Sequence, residues 1–237
     1  MVKILHLFNN LMNLYGETGN IKILERRLKA GHVAFKTAKA MPKDVIDGDF
    51  DLVYIGSGTE KSIFASLKEA YNFTDEFNKL IFEKNAVVLL TGNSMSLFGK
   101  KIVTENGEEV EGLSILDIET YETYNTPTMQ DCVFDCELTN SKIVGFINRA
   151  TKIISNEKPL FKVIKGVGNL PDDKFEGMQK NNLFATHLIG PVLAKNPDFL
   201  ELIVKKLANK TKEFEYSAMK FDDMQKAYEV TLEELLK

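Results

Sequence analysis

Apolar and polar positions follow two alternating periods through the first 90 residues. Residues 2–8 read as a strand, and residues 9–19 as a loop holding Asn13-Leu14-Tyr15-Gly16. Across residues 20–30, Ile21, Ile23, Leu24 and Leu28 recur at helical spacing, and Gly31 is a natural stop. Residues 33–36 form a second candidate strand, and residues 51–55 a third that runs into Gly56-Ser57-Gly58. Residues 60–71 and 74–84 follow as helices, with Thr74 placed to cap the second. Residues 87–90 are the fourth strand. This rhythm predicts an α/β fold, a mostly parallel sheet flanked by helices.

Beyond residue 100 the pattern changes. Residues 113–122, 132–138, 142–148, 160–167 and 183–188 read as strands joined by polar turns such as Thr139-Asn140-Ser141, which predicts added antiparallel strands. Residues 196–208 are helical, with Phe199, Leu200, Leu202, Ile203 and Leu207 as the apolar positions. After the charged link 209–213, residues 224–236 regain helical periodicity, and their alternating charges suit a solvated face. No repeat, low-complexity block or flexible linker interrupts the chain. The economical division is one domain over residues 1–208 and a C-terminal helical extension over 209–237.

Composition narrows the function classes. A chain of 237 residues with 44% hydrophobic and 27% charged residues can bury a substantial core. The net charge of −4 gives no electrostatic ground for nucleic acid as the main partner. No apolar run reaches the length of a membrane span, and the strand-like start lacks signal-peptide anatomy. Cys132 and Cys136 lie roughly 13 Å apart along an extended strand, too far to bridge, and read as packing residues in a reducing cytoplasm. His6 and His32 have no metal-like partner in sequence, and no pattern calls for a metal or a cofactor.

The chemistry gathers at residues 87–101. A short apolar strand feeds Thr91-Gly92-Asn93-Ser94, and Met95, Leu97 and Phe98 then read as a short amphipathic helix. A strand, a sharp turn and a helix lift one side chain onto the carboxyl edge of a parallel sheet, beside backbone N–H groups that face an oxyanion.

The landmarks, in order, are Asn13-Leu14-Tyr15-Gly16 with Gly19-Asn20-Ile21, residues 51–58, residues 97–101, and Val110-Glu111-Gly112-Leu113 with Ile115-Leu116-Asp117. They continue with Val144-Gly145-Phe146 and Asn148, residues 166–169, Glu176-Gly177, and Gly190-Pro191-Val192-Leu193 with Lys195-Asn196. In this order they resemble the class I glutamine amidotransferases of the cobyric-acid-synthase (CobB/CobQ-like) kind. Within these, the chain is similar to the GatD-type glutaminase subunits of lipid II isoglutaminyl synthases. The resemblance runs from about residue 1 to 207. It implies a flavodoxin-like fold and a heterodimer with a Mur-ligase-like subunit. The glutaminase would release ammonia for amidation of lipid II in peptidoglycan synthesis. The nucleophile position of the family falls on Gly92 and its His position on Ile189, so neither catalytic group is present. The family's Glu-Asn-His segment becomes Ile147-Asn148-Arg149, and the segment with a basic residue becomes Asn125-Thr126-Pro127-Thr128.

The resemblance therefore implies a pseudoenzyme that keeps the fold and serves as a subunit or binding protein, with a small-molecule ligand in the former glutamine pocket. The alternative is a working amidotransferase, or a different hydrolase built on Ser94 and His187. Gly56, Ser57 and Gly58 match the loop that supplies an oxyanion donor, though a plain β–α turn has the same composition. Asn93 and Asn148 join them as pocket candidates. Ser94 is expected as a helix cap before it is expected as a nucleophile. Arg149 could hold an anion, but a solvated surface charge is the expected role.

Overall fold

The computed structural model describes residues 1–40, 49–211 and 215–237. Of the charged link 209–213, residues 212 and 213 lie outside the described residues. Along the chain, strand β1 (Val2–Leu7) leads to helix α1 (Thr18–Ala30) and strands β2 (Phe35–Ala40) and β3 (Leu52–Ile55). Helices α2 (Glu60–Ala70) and α3 (Thr74–Asn78) precede strand β4 (Val87–Thr91) and a 3-10 helix over Gly92–Phe98. Short strands β5 (Lys101–Val103), β6 (Glu109–Glu111) and β7 (Ile118–Glu122) follow. Next come the hairpin β8 (Thr128–Cys136) and β9 (Ser141–Arg149), then β10 (Thr151–Ser155) and β11 (Phe161–Lys165). The last strands are β12 (Phe175–Glu176), β13 (Met178–Lys180), β14 (Leu183–Thr186) and β15 (Leu188–Ile189). Helices α4 (Val192–Lys195), α5 (Pro197–Ala208) and α6 (Asp222–Leu236) close the chain.

Six strands in the order β13-β14-β4-β3-β1-β2 form the central sheet, parallel except where β13 meets β14. Its middle strands are buried on both faces, and their alternation feeds two separate cores. Val53, Ile55, Val88 and Leu90 pack with Ile63, Leu67 and Phe77 from the α2–α3 side. Leu52, Tyr54, Val87 and Leu89 pack with Leu24, Leu28, Phe199 and Ile203 from α1 and α5. Two smaller sheets, β10-β7-β5-β6 and β12-β11-β8-β9-β15, flank this frame. Helix α6 has no buried residue and lies against β8 and β9, with Tyr228 Oη donating to the Lys142 carbonyl at 2.8 Å. Among the described residues, no helix is long and apolar enough to cross a membrane.

Three local expectations fail for identifiable reasons. Residues 113–117 are not strand: Ser114 takes φ +54, and the N–H groups of Leu113 and Leu116 bond to the carbonyls of Leu97 and Phe98. Thr74 is no cap. The chain passes from α2 through a 3-10 turn (Tyr71–Phe73) into α3, and Thr74 Oγ1 donates to the Tyr71 carbonyl instead. The expected strand over 183–188 breaks at His187, where the chain leaves the central sheet and pairs with β9.

Candidate functional site

The chain reverses its strand order on either side of β1, and crossovers of this kind open a crevice at the carboxyl ends of the strands. Four loops meet there: residues 8–17 after β1, 56–59 after β3, the turn at Gly92 after β4, and 187–190 after β14. Gly92 holds the decisive geometry. Its φ of +63 is the left-handed conformation of a strained turn. A Cβ built on it would lie 3.1 Å from Ile189 Cγ2 and 2.5 Å from Ser57 Cβ. Positions 92 and 189 thus face each other, and Ser57 fills the space a side chain at 92 would need.

Asn93, the next residue, ties the two turns together. Its Oδ1 accepts from Gly58 N at 3.0 Å and from Ser57 Oγ at 3.1 Å, while its Nδ2 donates to the Gly58 carbonyl at 2.8 Å. Ser94 points elsewhere. It is fully buried, with Oγ 2.9 Å from the Thr91 carbonyl and 3.1 Å from that of Ile55. It therefore donates to carbonyls and caps no N–H, contrary to the expectation from sequence.

His187 is also buried, with Nδ1 3.0 Å from Glu176 Oε1. Burial, then the charge of Arg149, pushes its pKa down to about 4, so the ring is neutral near pH 7. Glu176 further accepts from Thr186 Oγ1 and from the His187 N–H. The imidazole serves this carboxylate, and no Ser94–His187 dyad forms. Arg149 is likewise no surface charge. It is 7% exposed, donates to the Gly168 carbonyl, and has its pKa lowered by burial. Strand β9 turns this side chain inward, where Glu176 and Asp173 partly offset its charge.

Beside the elbow lies a cleft of about 210 Å³, walled by Tyr15, Ser57, Gly58, Asn93, Asn148 and Arg149, with Glu60, Glu122 and Tyr124 at its other side. Asn148 Nδ2 donates to Tyr15 Oη at 3.1 Å across one wall. The Tyr124 hydroxyl donates to Glu122, whose pKa is raised by burial. Gly56 stands back from the cleft, against Met12 and Glu17.

Sequence reasoning passed over Glu17. This fully buried carboxylate accepts from Tyr54 Oη at 2.7 Å, Thr91 Oγ1 at 2.7 Å and Gly190 N at 2.9 Å. It thereby clamps the residue before Gly92 to the residue after Ile189. Its pKa is raised, burial outweighing the hydrogen bonds that favour the charged form. The available signal was its place in a loop after the first strand, where carboxyl-edge residues gather. Among the described residues, no group of three or more His, Cys, Asp or Glu could hold a metal ion.

The CobB/CobQ-like glutamine amidotransferase domain matches residues 3–197. The chain belongs to that family. The GatD subunit of the lipid II isoglutaminyl synthase (glutamine-hydrolyzing) of Staphylococcus aureus (strain N315) is 31% identical over 204 residues, which span 86% of this chain and 83% of that subunit. The corresponding GatD of Streptococcus pneumoniae (strain ATCC BAA-255 / R6) is 28% identical over 86% of this chain and 79% of its own length. Among solved structures, a glutamine amidotransferase superposes with a TM-score of 0.55 at 15% identity, covering 86% of this chain and 98% of its own. A second, from Thermotoga maritima, gives 0.52 at 12% identity, over 99% and 92%. These structural likenesses establish the shared fold. Within this amidotransferase fold, the turn after β4 presents Gly92, which has no side chain, opposite the apolar Ile189. The cleft can bind by hydrogen bonds, aromatic contact and charge.

Proposed function

We propose that the chain is a non-catalytic GatD-like subunit or binding protein. It works in the cytoplasm, whose reducing conditions suit two free thiols, with a Mur-ligase-like partner in the amidation of lipid II. The direction of position 92 carries this reading. Glutaminase chemistry needs a thiolate and an imidazole to meet at that point. Here Gly92 faces Ile189, and Ser57 fills the space a side chain at 92 would need. The naming of both relatives as subunits of lipid II isoglutaminyl synthase supports the pathway and the presence of a partner subunit. Gly58, Asn93, Asn148 and Tyr15 are the residues we assign to a non-covalent pocket. The bonds of Ser94 to two carbonyls weigh against a Ser94–His187 hydrolase.

The test is ammonia release from glutamine by the purified chain, alone and with its Mur-ligase-like partner. It is paired with mass mapping after treatment with a glutamine-mimetic diazo-ketone. The expected result is no release above background and no adduct. Enzymes that lose a nucleophile commonly retain about 10³–10⁴ over water from oxyanion donors and binding, and here Asn93 engages such donors. Steady ammonia production, or a stoichiometric adduct on Ser94, Cys132 or Cys136, would overturn the proposal.

A further inference from the structure

We infer that Asn93 is an internal ligand: its carboxamide fills a carboxamide-recognition site formed by Ser57 and Gly58. Two donors, the Gly58 N–H and the Ser57 hydroxyl, converge on one oxygen, Asn93 Oδ1, at 3.0 and 3.1 Å. The amide nitrogen of the same side chain returns to the Gly58 carbonyl at 2.8 Å. One primary amide thus pairs with both backbone polar groups of a single residue. The polarity of Gly58 fixes which end of that amide is oxygen.

Converging N–H and O–H donors beside a strained turn are the arrangement that holds a carbonyl oxygen as it gains negative charge. The oxygen held here belongs to the residue that follows the elbow glycine. These three residues line one end of the cleft, so the filled site is continuous with the space open to a ligand. A tethered amide held at three points competes at high effective concentration, and dilute free amides cannot displace it. The chemical class the donors would take, once Asn93 is withdrawn, is a primary carboxamide or a carboxylate. This deepens the non-catalytic reading and rests on it for the role of the loop.

The experiment is NMR on the deuterated, ¹⁵N,¹³C-labelled chain, with acetamide and acetate as probes. In the wild type, a scalar coupling across the hydrogen bond should link Gly58 N to Asn93 Cγ, and millimolar acetamide should leave the Gly58 N–H unshifted. In Asn93→Ala, exchange of the Gly58 amide with solvent should rise about tenfold or more. Added acetamide should shift that resonance saturably and slow its exchange. Asn93→Gly should behave alike, and it covers the case in which the alanine variant fails to fold. The inference is overturned if the wild-type coupling is absent while sheet couplings are seen. It also fails if acetamide shifts Gly58 equally in the wild type, or if neither variant with a native spectrum responds to either probe. No outcome reads ammonia release, so a silent chain with a free Gly58 would sink this inference and leave the proposed function standing.

Discussion

Position 92 sets two costs on any side chain larger than that of glycine. A left-handed φ is free to glycine and costs other residues about 1–3 kcal/mol. A Cβ there would in addition press on Ser57, and overpacking of this kind costs about 1–3 kcal/mol. Gly92→Ala is therefore expected to lose about 2–6 kcal/mol of stability in urea titrations, and Ser57→Gly should return the packing share but not the strain. The same geometry bears on restoring the missing groups. Gly92→Cys with Ile189→His would place a thiol against Ser57, beside donors already engaged by Asn93. We expect this pair to yield a titratable cysteine without useful turnover, since a misplacement of about 1 Å can cost roughly 10²-fold. Adding Ser57→Gly and Asn93→Gly should raise labelling by a glutamine-mimetic electrophile about tenfold over the pair. Brisk ammonia release from the pair alone would refute the account of a refilled pocket, leaving only two side chains lost.

At the scale of elements, Glu17 joins what the strands bring near. It hangs from the loop after β1 and accepts hydrogen bonds from β3, from the end of β4 and from the turn after β15. Its folded pKa is raised, so its stabilising contribution is whole below the ordinary carboxylate range and is lost as pH rises through the folded value. Glu17→Gln removes that loss. Its oxygen can keep the Gly190 N–H, and its nitrogen can face the Tyr54 and Thr91 hydroxyls, which can turn to accept. The stability difference between variant and wild type should shift toward the variant as pH rises from about 4.5 to 7. Urea midpoints for both proteins across that range decide it, and a constant difference would remove Glu17 as the buried titrating group.

The β–α rhythm made the parallel frame and its carboxyl-edge turns legible, because burial on two faces writes continuous apolar runs such as residues 87–90. The order of the small antiparallel strands was not legible, since three-residue pieces like β5 and β6 carry no period. Nor were the filled site and the Glu17 clamp. A sequence gives the residue types Ser57, Asn93 and Glu17, but their roles depend on direction across loops far apart in the chain.

At the scale of the whole molecule, two neutral imidazoles are sealed into the central frame. His6 lies in β1 with its ring centroid 5.2 Å from that of Tyr54, and both its nitrogens lack a hydrogen-bond partner. His187 closes β14 and serves Glu176. Burial first, with Lys39 for His6 and Arg149 for His187, lowers each pKa from 6.5 to about 4. A depressed folded pKa means that the unfolded chain takes up the protons first. Each histidine therefore leaves stability intact above about pH 6.5 and withdraws it as pH falls toward 4, on the order of 3 kcal/mol apiece. Glu17 acts in the opposite sense over part of this window. Both rings pack at the sheet that carries the elbow, so acid should loosen frame and site in one transition. The expected observation is a steep fall of the urea midpoint between pH 6.5 and 4, with the cleft residues and the β1–β4 amides losing exchange protection together. His6→Phe, which keeps an aromatic ring against Tyr54, should remove about half of the slope. A flat profile over that range, or an unchanged slope in His6→Phe, would show that these histidines are not what acid attacks.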